Sequence, residues 1–213
     1  MPFTFYLDDI RYVKVAAEEA SVEVSGSTAP PSAPGTSGPG KTATLPFSIY
    51  GDAGAKIPYI PAGYMGNGGA IQIEDASTET PHGGTTCLKV SYNANDNWGG
   101  VVWQDPANDW GEQPGGYNLT GAASLEFWAR GASGGEKISF GFGLIGPDKF
   151  YSDTGKGEVK DVLLSNTWQH YCIPLTGLNL SRIKTAFYWT LGGQGKPVVF
   201  YLDDIQFNTT PCQ

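Results

Sequence analysis

At 213 residues the chain is long enough for one ordinary domain or a domain and a half, and its aliphatic and aromatic content can fill one sizeable core. Thirteen basic against twenty-one acidic residues leave a formal charge of -8 with no Lys/Arg cluster, which excludes a nucleic-acid backbone as partner. No apolar run is long enough to span a bilayer, and thirty glycines with fifteen prolines suit many short strands joined by tight turns.

Residues 1–14 read as a strand that is apolar on both faces, with Phe3, Phe5 and Leu7 on one side and Tyr6, Ile10 and Tyr12 on the other. Its hexapeptide Phe5-Tyr6-Leu7-Asp8-Asp9-Ile10 recurs unchanged as Phe200-Tyr201-Leu202-Asp203-Asp204-Ile205, so the two segments are expected to do the same structural job. Residues 15–44 read as a Pro/Ser/Gly-rich linker, with one short helical turn possible over Val15–Ala20. Fully extended at about 3.3 Å per residue, some thirty residues reach roughly 100 Å, so the leading strand is free to seek a partner elsewhere. Two readings follow. The strand is the last piece of a preceding domain, or it is donated to the sheet of a neighbouring copy, which would build a homo-oligomer or a filament. No signal core opens the chain at Met1-Pro2-Phe3, so any export signal is expected to lie outside these residues.

From residue 45 to 210 the pattern is one β-sandwich. Strands are predicted near Leu45–Tyr50, Thr86–Tyr92, Gly99–Gln104, Ser124–Arg130, Lys137–Leu144, Glu158–Leu164, Trp168–Pro174, Ile183–Thr190 and Val198–Phe207, with no convincing helix between them. The expected class is all-β, two antiparallel sheets packed as a jelly roll. Cys87 and Cys172 lie in strand-like segments and form a candidate pair, leaving Cys212 to another chain; three buried or unpaired thiols is the other reading. Asn118, Asn179 and Asn208 head Asn-x-Ser/Thr triplets, in keeping with an exported surface.

Four landmarks in order carry a resemblance: Ile49-Tyr50-Gly51-Asp52, the run from Pro81 to Val90, the run Leu125-Glu126-Phe127-Trp128-Ala129-Arg130-Gly131, and Trp168 to Leu175, closed by Phe200 to Phe207. Together they resemble the galactose-binding-like jelly-roll family of carbohydrate-binding modules. The resemblance implies a non-catalytic, extracellular sugar-binding sandwich that holds a structural calcium ion. Asp203, Asp204 and Asp52, with Glu74 or Asp75 and carbonyls near Gly83–Thr85, would supply the oxygens. Two adjacent carboxylates on an apolar strand also ask for something positive beside them; the alternative is that they cap the sheet end by backbone hydrogen bonds. Asp8 and Asp9 lack a second set of loop ligands.

Sugar rings stack on exposed indole or phenol faces. Trp98, Trp103 and Trp110 are close in sequence and form the best ligand patch, which Tyr64, Tyr117 and Tyr151 could extend, whereas Trp128, Trp168 and Trp189 read as core. Gly141-Phe142-Gly143-Leu144-Ile145-Gly146 fits a dinucleotide-loop pattern but leads into no helix. His82 and His170 have no nucleophile beside them. Glu126, Glu136, Asp153 and Glu158 are the carboxylates from which a glycosidase pair would have to come. The expected partner is therefore a polysaccharide or glycan, and the alternatives are a self-assembling extracellular subunit and a glycosidase fragment.

Overall fold

The computed structural model describes residues 38–55 and 57–213. The strand at 1–14, with Phe3, Phe5, Tyr6, Leu7, Ile10 and Tyr12, and the linker up to residue 37 lie outside the described residues.

Thirteen strands are described: β1 (Lys41–Thr42), β2 (Phe47–Tyr50), β3 (Ile60–Gly66), β4 (Ile71–Ser77), β5 (Cys87–Tyr92), β6 (Trp98–Gln104), β7 (Tyr117–Asn118), β8 (Ser124–Gly131), β9 (Lys137–Phe142), β10 (Gly157–Leu163), β11 (Gln169–Pro174), β12 (Thr185–Gly192) and β13 (Val198–Asn208). One 3-10 turn, Gly68–Ala70, is the sole helical element among them. The expected all-β sandwich is what forms. A five-stranded sheet in the order β10-β9-β12-β6-β3 faces a six-stranded sheet in the order β11-β8-β13-β5-β4, with β2 also paired to β13, and both are antiparallel.

Strand alternation explains the layers. In β8, Leu125, Phe127 and Ala129 are buried while Glu126, Trp128 and Arg130 point outward. Rings from both sheets meet in the middle: Phe127 lies 4.9 Å from Phe140, and Phe200 lies 5.2 Å from Trp189, centroid to centroid. Each such side chain contributes about 1.5–3 kcal/mol by burial.

β3 and β4 lie where no strand is predicted. Pro61 removes a backbone donor and sits at a bulge in β3, which is tolerated because β3 is a sheet edge. β13 also bends: its first half pairs with β5, its second half with β2, and the irregularity falls at Asp203–Gln206, with Asp204 at φ 49°.

The cysteine pairing differs from expectation. Cys172 bonds Cys212, with Cα atoms 5.8 Å apart, and Cys87 is a buried free thiol. β5 and β11 are three strand spacings apart, about 14 Å, too far for Cys87 and Cys172 to bridge. Gly38–Thr44, at the end of the predicted linker, lies along the sandwich: Lys41 and Thr42 pair in parallel with Tyr117 and Asn118, and Lys41 Nζ reaches both Asp105 carboxylate oxygens at 2.9 Å.

Candidate functional site

Residues paired across antiparallel strands share a face, so the register maps the outer surface of the five-stranded sheet. One transverse row is Met65, Gly100, Thr190 and Ser139; the next is Gly63, Val102, Tyr188, Gly141 and Glu158. Beyond the first row, Trp98 pairs with Gly192, and Lys137 with Leu163. Gly100, Thr190 and Ser139 keep the first row low, whereas Val102 and Tyr188 occupy the middle of the second, and the low row leaves a trough. It holds a hollow of about 310 Å3 lined by Trp98, Lys137, Ser139, Asp161, Thr190 and Gly192. A second of about 360 Å3 lies beside Tyr188, Glu158 and Lys156.

Two glycines keep this surface open. A Cβ on Gly66, at φ +60°, would stand 2.8 Å from the Trp98 indole, which lies against that backbone. A Cβ on Gly141 would meet Tyr188 Cζ at 2.5 Å, so the phenol lies flat on the strand and reaches toward Glu158. Burial, then the Glu158 charge, pushes the Tyr188 phenol up, and it stays a neutral hydroxyl.

The predicted ligand residues separate. Trp98 is 52% exposed on the trough. Trp103 points to the core and packs edge-on to Phe187 at 5.5 Å. Tyr64 is exposed on β3 but is paired with the core residue Val101, so its side chain leaves the sheet on the face opposite Trp98. Trp110 is half-buried in the loop after β6, past the far end of a strand that spans about 20 Å from Trp98 to Gln104. That loop is pinned by a buried ion pair between Lys184 Nζ and Asp109, by Lys184 Nζ donating to the Gln113 carbonyl at 2.6 Å, and by Gln104 Nε2 donating to the Asp109 carbonyl at 2.9 Å. Tyr117 packs in a trio with Phe47 and Tyr59. Tyr151 sits beside Lys184, its ring centroid 5.8 Å from Nζ.

The predicted metal residues cluster in part. The bend in β13 leaves a gap between β5 and β2, and the loop before β5 closes it. Asp203, fully buried, accepts from the His82 amide at 2.9 Å and the Gly83 amide at 3.2 Å through one oxygen, and from the Asp204 amide at 2.9 Å through the other. Burial pushes its carboxyl up to about 6. Asp204 Oδ2 lies 2.8 Å from His82 Nδ1. Asp52 Oδ1 accepts from the Thr85 amide at 2.7 Å and the Thr86 amide at 2.8 Å, and those amides hold the carboxyl below its ordinary value. Glu74 and Asp75 are exposed on β4; Asp75 contributes only its carbonyl, to the Tyr50 hydroxyl at 2.7 Å. Among the described residues no three His, Cys, Asp or Glu side chains converge as a metal would require.

A family model described as carbohydrate binding domain 30 matches residues 59–209, most of the chain and nearly all of the sandwich. The chain belongs to that family. Solved structures agree on the fold. The family 30 carbohydrate-binding module of the cellulosomal cellulase Cel9D-Cel44B of Clostridium thermocellum is 18% identical at a TM-score of 0.55, over 78% of this chain and 98% of that one. A family 11 module from Clostridium thermocellum, in complex with a β-1,3-1,4-mixed-linked tetrasaccharide, is 15% identical at 0.50, over 80% and 100%. The glycoside hydrolase domain of Endo-D from Streptococcus pneumoniae R6 is 18% identical at 0.51, over 70% of this chain but 22% of that one. Among curated proteins none matches.

As a family 30 carbohydrate-binding domain, the chain places its carboxylates apart. Glu126 is on the outer face of the six-stranded sheet, near His170 at 3.3 Å. Glu136 is buried in a turn, accepting from the Ser133 amide at 2.7 Å. Asp153 takes the Ile145 amide at 2.8 Å and the Thr185 hydroxyl at 2.6 Å. On the trough, Glu158 is paired with Lys160 at 3.0 Å and Asp161 with Lys137 at 3.7 Å. The trough residues that the sequence reading passes over are Tyr188, Thr190, Ser139, Lys137 and Met65. Their signal is the period-two alternation itself, Lys137-Ile138-Ser139-Phe140-Gly141-Phe142, which puts every second small or polar side chain on one face.

Proposed function

We propose that the chain is a non-catalytic, extracellular polysaccharide-binding module whose ligand lies along the trough of the five-stranded sheet, with Trp98 as its stacking platform. The observation that carries this reading is a half-exposed indole beside a floor of glycine, serine and threonine, where a flat sugar ring gains an apolar face and hydroxyl partners together. The lysine-paired acids of the trough support a role without catalysis, since neither is held as a lone acid or base. The Cys172–Cys212 bond supports an oxidising, extracellular compartment. Electrophoresis through gels containing neutral soluble glucans or mannans tests the reading: retardation by at least one supports it, and free migration through all of them overturns it.

Calcium is proposed at the gap closed by residues 82–86, held by Asp204, Asp52 and loop carbonyls. The support is chemical: among the described residues His82 is the one basic side chain paired with the adjacent carboxylates Asp203 and Asp204. When bound, the ion would neutralise them and tie β13 to the loop. Thermal melts with calcium and with a chelator decide it; superimposable melts leave the backbone amides as the whole device.

The hexapeptide repeat supports a second reading, assembly by donation of Phe3–Tyr12. In the described sandwich the equivalent place, between β8 and β5, is filled by Val198–Asn208 itself, which favours binding over assembly. Unchanged sedimentation after deletion of residues 1–14 would retire it.

A further inference from the structure

The outer face of the six-stranded sheet carries a second built feature. Across the strands run Lys89, Tyr201 and Arg130, and at the end of the row stands Trp168. The Arg130 guanidinium lies 3.6 Å from the Tyr201 ring centroid and 5.1 Å from that of Trp168, held between two aromatic faces. The indole is fixed in turn: Trp168 Nε1 donates to the Thr80 carbonyl at 2.9 Å, and the His82 ring meets it edge-on at 6.0 Å. Thr80 holds a left-handed backbone, φ 55°, to present that carbonyl. Between these groups lies a hollow of about 250 Å3 lined by Thr80, Arg130, Asn166, Thr167 and Trp168.

The charges around Arg130 are unusual for a chain of net charge -8. The Glu79 carboxylate is committed to Lys89 and to the Tyr201 hydroxyl, and the Lys89 bond first, then that hydroxyl, holds it below the ordinary value. The Arg130 guanidinium donates through Nη2 to the Glu79 backbone carbonyl at 2.6 Å, and its Nε, shielded from solvent, has no acceptor among the described residues. Among the described residues no carboxylate oxygen lies within 4.0 Å of the guanidinium, and Glu79 feels its charge only as a lesser pull beside those of Lys89 and the Tyr201 hydroxyl. A guanidinium oriented by stacking, with Nη1 uncommitted at its outer end, can pair with a carboxylate. The indole and the amide and hydroxyl groups of Asn166, Thr167 and Thr80 add what a sugar ring needs.

We propose that this hollow is a second saccharide site, distinct from the trough, which takes a carboxylate-bearing sugar of the uronic acid class: Arg130 pairs with the carboxylate and Trp168 carries the ring. The two sites lie on opposite faces of the sandwich, so one module can hold a neutral and an acidic glycan together.

The test is a titration of the whole chain with a uronate oligosaccharide, its neutral counterpart of the same linkage, and a short peptide with a free terminal carboxylate, followed through the Trp168 indole N–H resonance. The uronate should shift that resonance and bind roughly ten- to a hundredfold more tightly than the neutral sugar. Arg130→Gln should remove that difference, Trp168→Phe should weaken binding while keeping an aromatic ring in place, and Trp98→Ala should leave it unchanged. Should Arg130→Gln misfold, the wild-type shifts and Trp168→Phe decide alone. A silent Trp168 resonance, equal binding of neutral sugar, peptide binding as tight as uronate, or loss of uronate binding in Trp98→Ala would each overturn the proposal.

Discussion

Removing the Trp98 indole is the sharpest probe of the trough. A tryptophan covered on all sides buries about 150–250 Å2; at 52% exposure, roughly 100 Å2 of Trp98 is open to a ligand. At about 25 cal/mol per Å2, complete cover yields about 2.5 kcal/mol and cover of one ring face about half of that. Trp98→Ala should therefore weaken the dissociation constant between about tenfold and sixtyfold. The cost to the fold should stay near or below about 1 kcal/mol, because the side chain packs chiefly on the Gly66 backbone and lies outside the core. Calorimetric titration with an oligosaccharide of the polysaccharide that the gels identify gives the affinity, and a denaturant melt gives the stability. Trp128→Phe, a milder change on the opposite sheet, is the control for position and should leave affinity alone. A wild type that binds and a Trp98→Ala variant within twofold of it would refute the assignment of the trough.

Three further outcomes follow from the framework. Asp109→Asn should destabilise by about 3–5 kcal/mol in chemical denaturation, because Lys184 would keep its charge in a buried place without a counter-charge. Burial raises the Asp109 carboxyl, but the Lys184 bond and the Gly111 amide outweigh it and the folded value lies below the ordinary one; the pair's contribution is thus complete at neutral pH and is lost as pH falls beneath the usual carboxylate range, an acid limb that Asp109→Asn should flatten. Cys212→Ser should lower stability by up to about 4 kcal/mol, the chain-entropy ceiling for a bridge across a separation of 40 residues, measured as the difference between oxidised wild type and variant melts. Cys87, pushed up to about 11 by burial, should ignore thiol reagents at pH 8 in the native protein and react as one equivalent after unfolding.

Much of the sandwich is legible in the sequence because alternation survives wherever one face of a strand is buried. Ser124–Arg130 and Val198–Phe207 are found to within a residue of their observed ends. β3 is invisible to the same reasoning, since Pro61, Gly63 and Gly66 break the pattern and its partner strand supplies the order that its own residues lack. The indoles show a different limit. Trp98 and Trp103 are near in sequence but separated by an odd number of positions on one strand, so they must leave on opposite faces. Parity alone divides that patch, one ring to the trough and one to the core. Trp168 escapes the same rule because it stands before β11, outside the pleat, where no face is assigned to it.

The two outer faces also differ for a physical reason. On the six-stranded sheet, long side chains stack into a layer with the 78–86 loop: His82 lies on Trp128 at 3.7 Å, and Tyr201 and Asp203 are almost wholly shielded. The five-stranded sheet is low along one row, where Gly100, Thr190 and Ser139 carry little side chain, whereas Val102 and Tyr188 in the next row are shielded. Among the described residues this sheet leaves Trp98 half open and Leu163 67% exposed, apolar area that none of them covers. Lengthening those small residues would bring that area under protein; their shortness keeps it for a ligand with a flat apolar side and a polar rim, and this makes the absence of side chains, as much as the presence of Trp98, the feature that mutation should address.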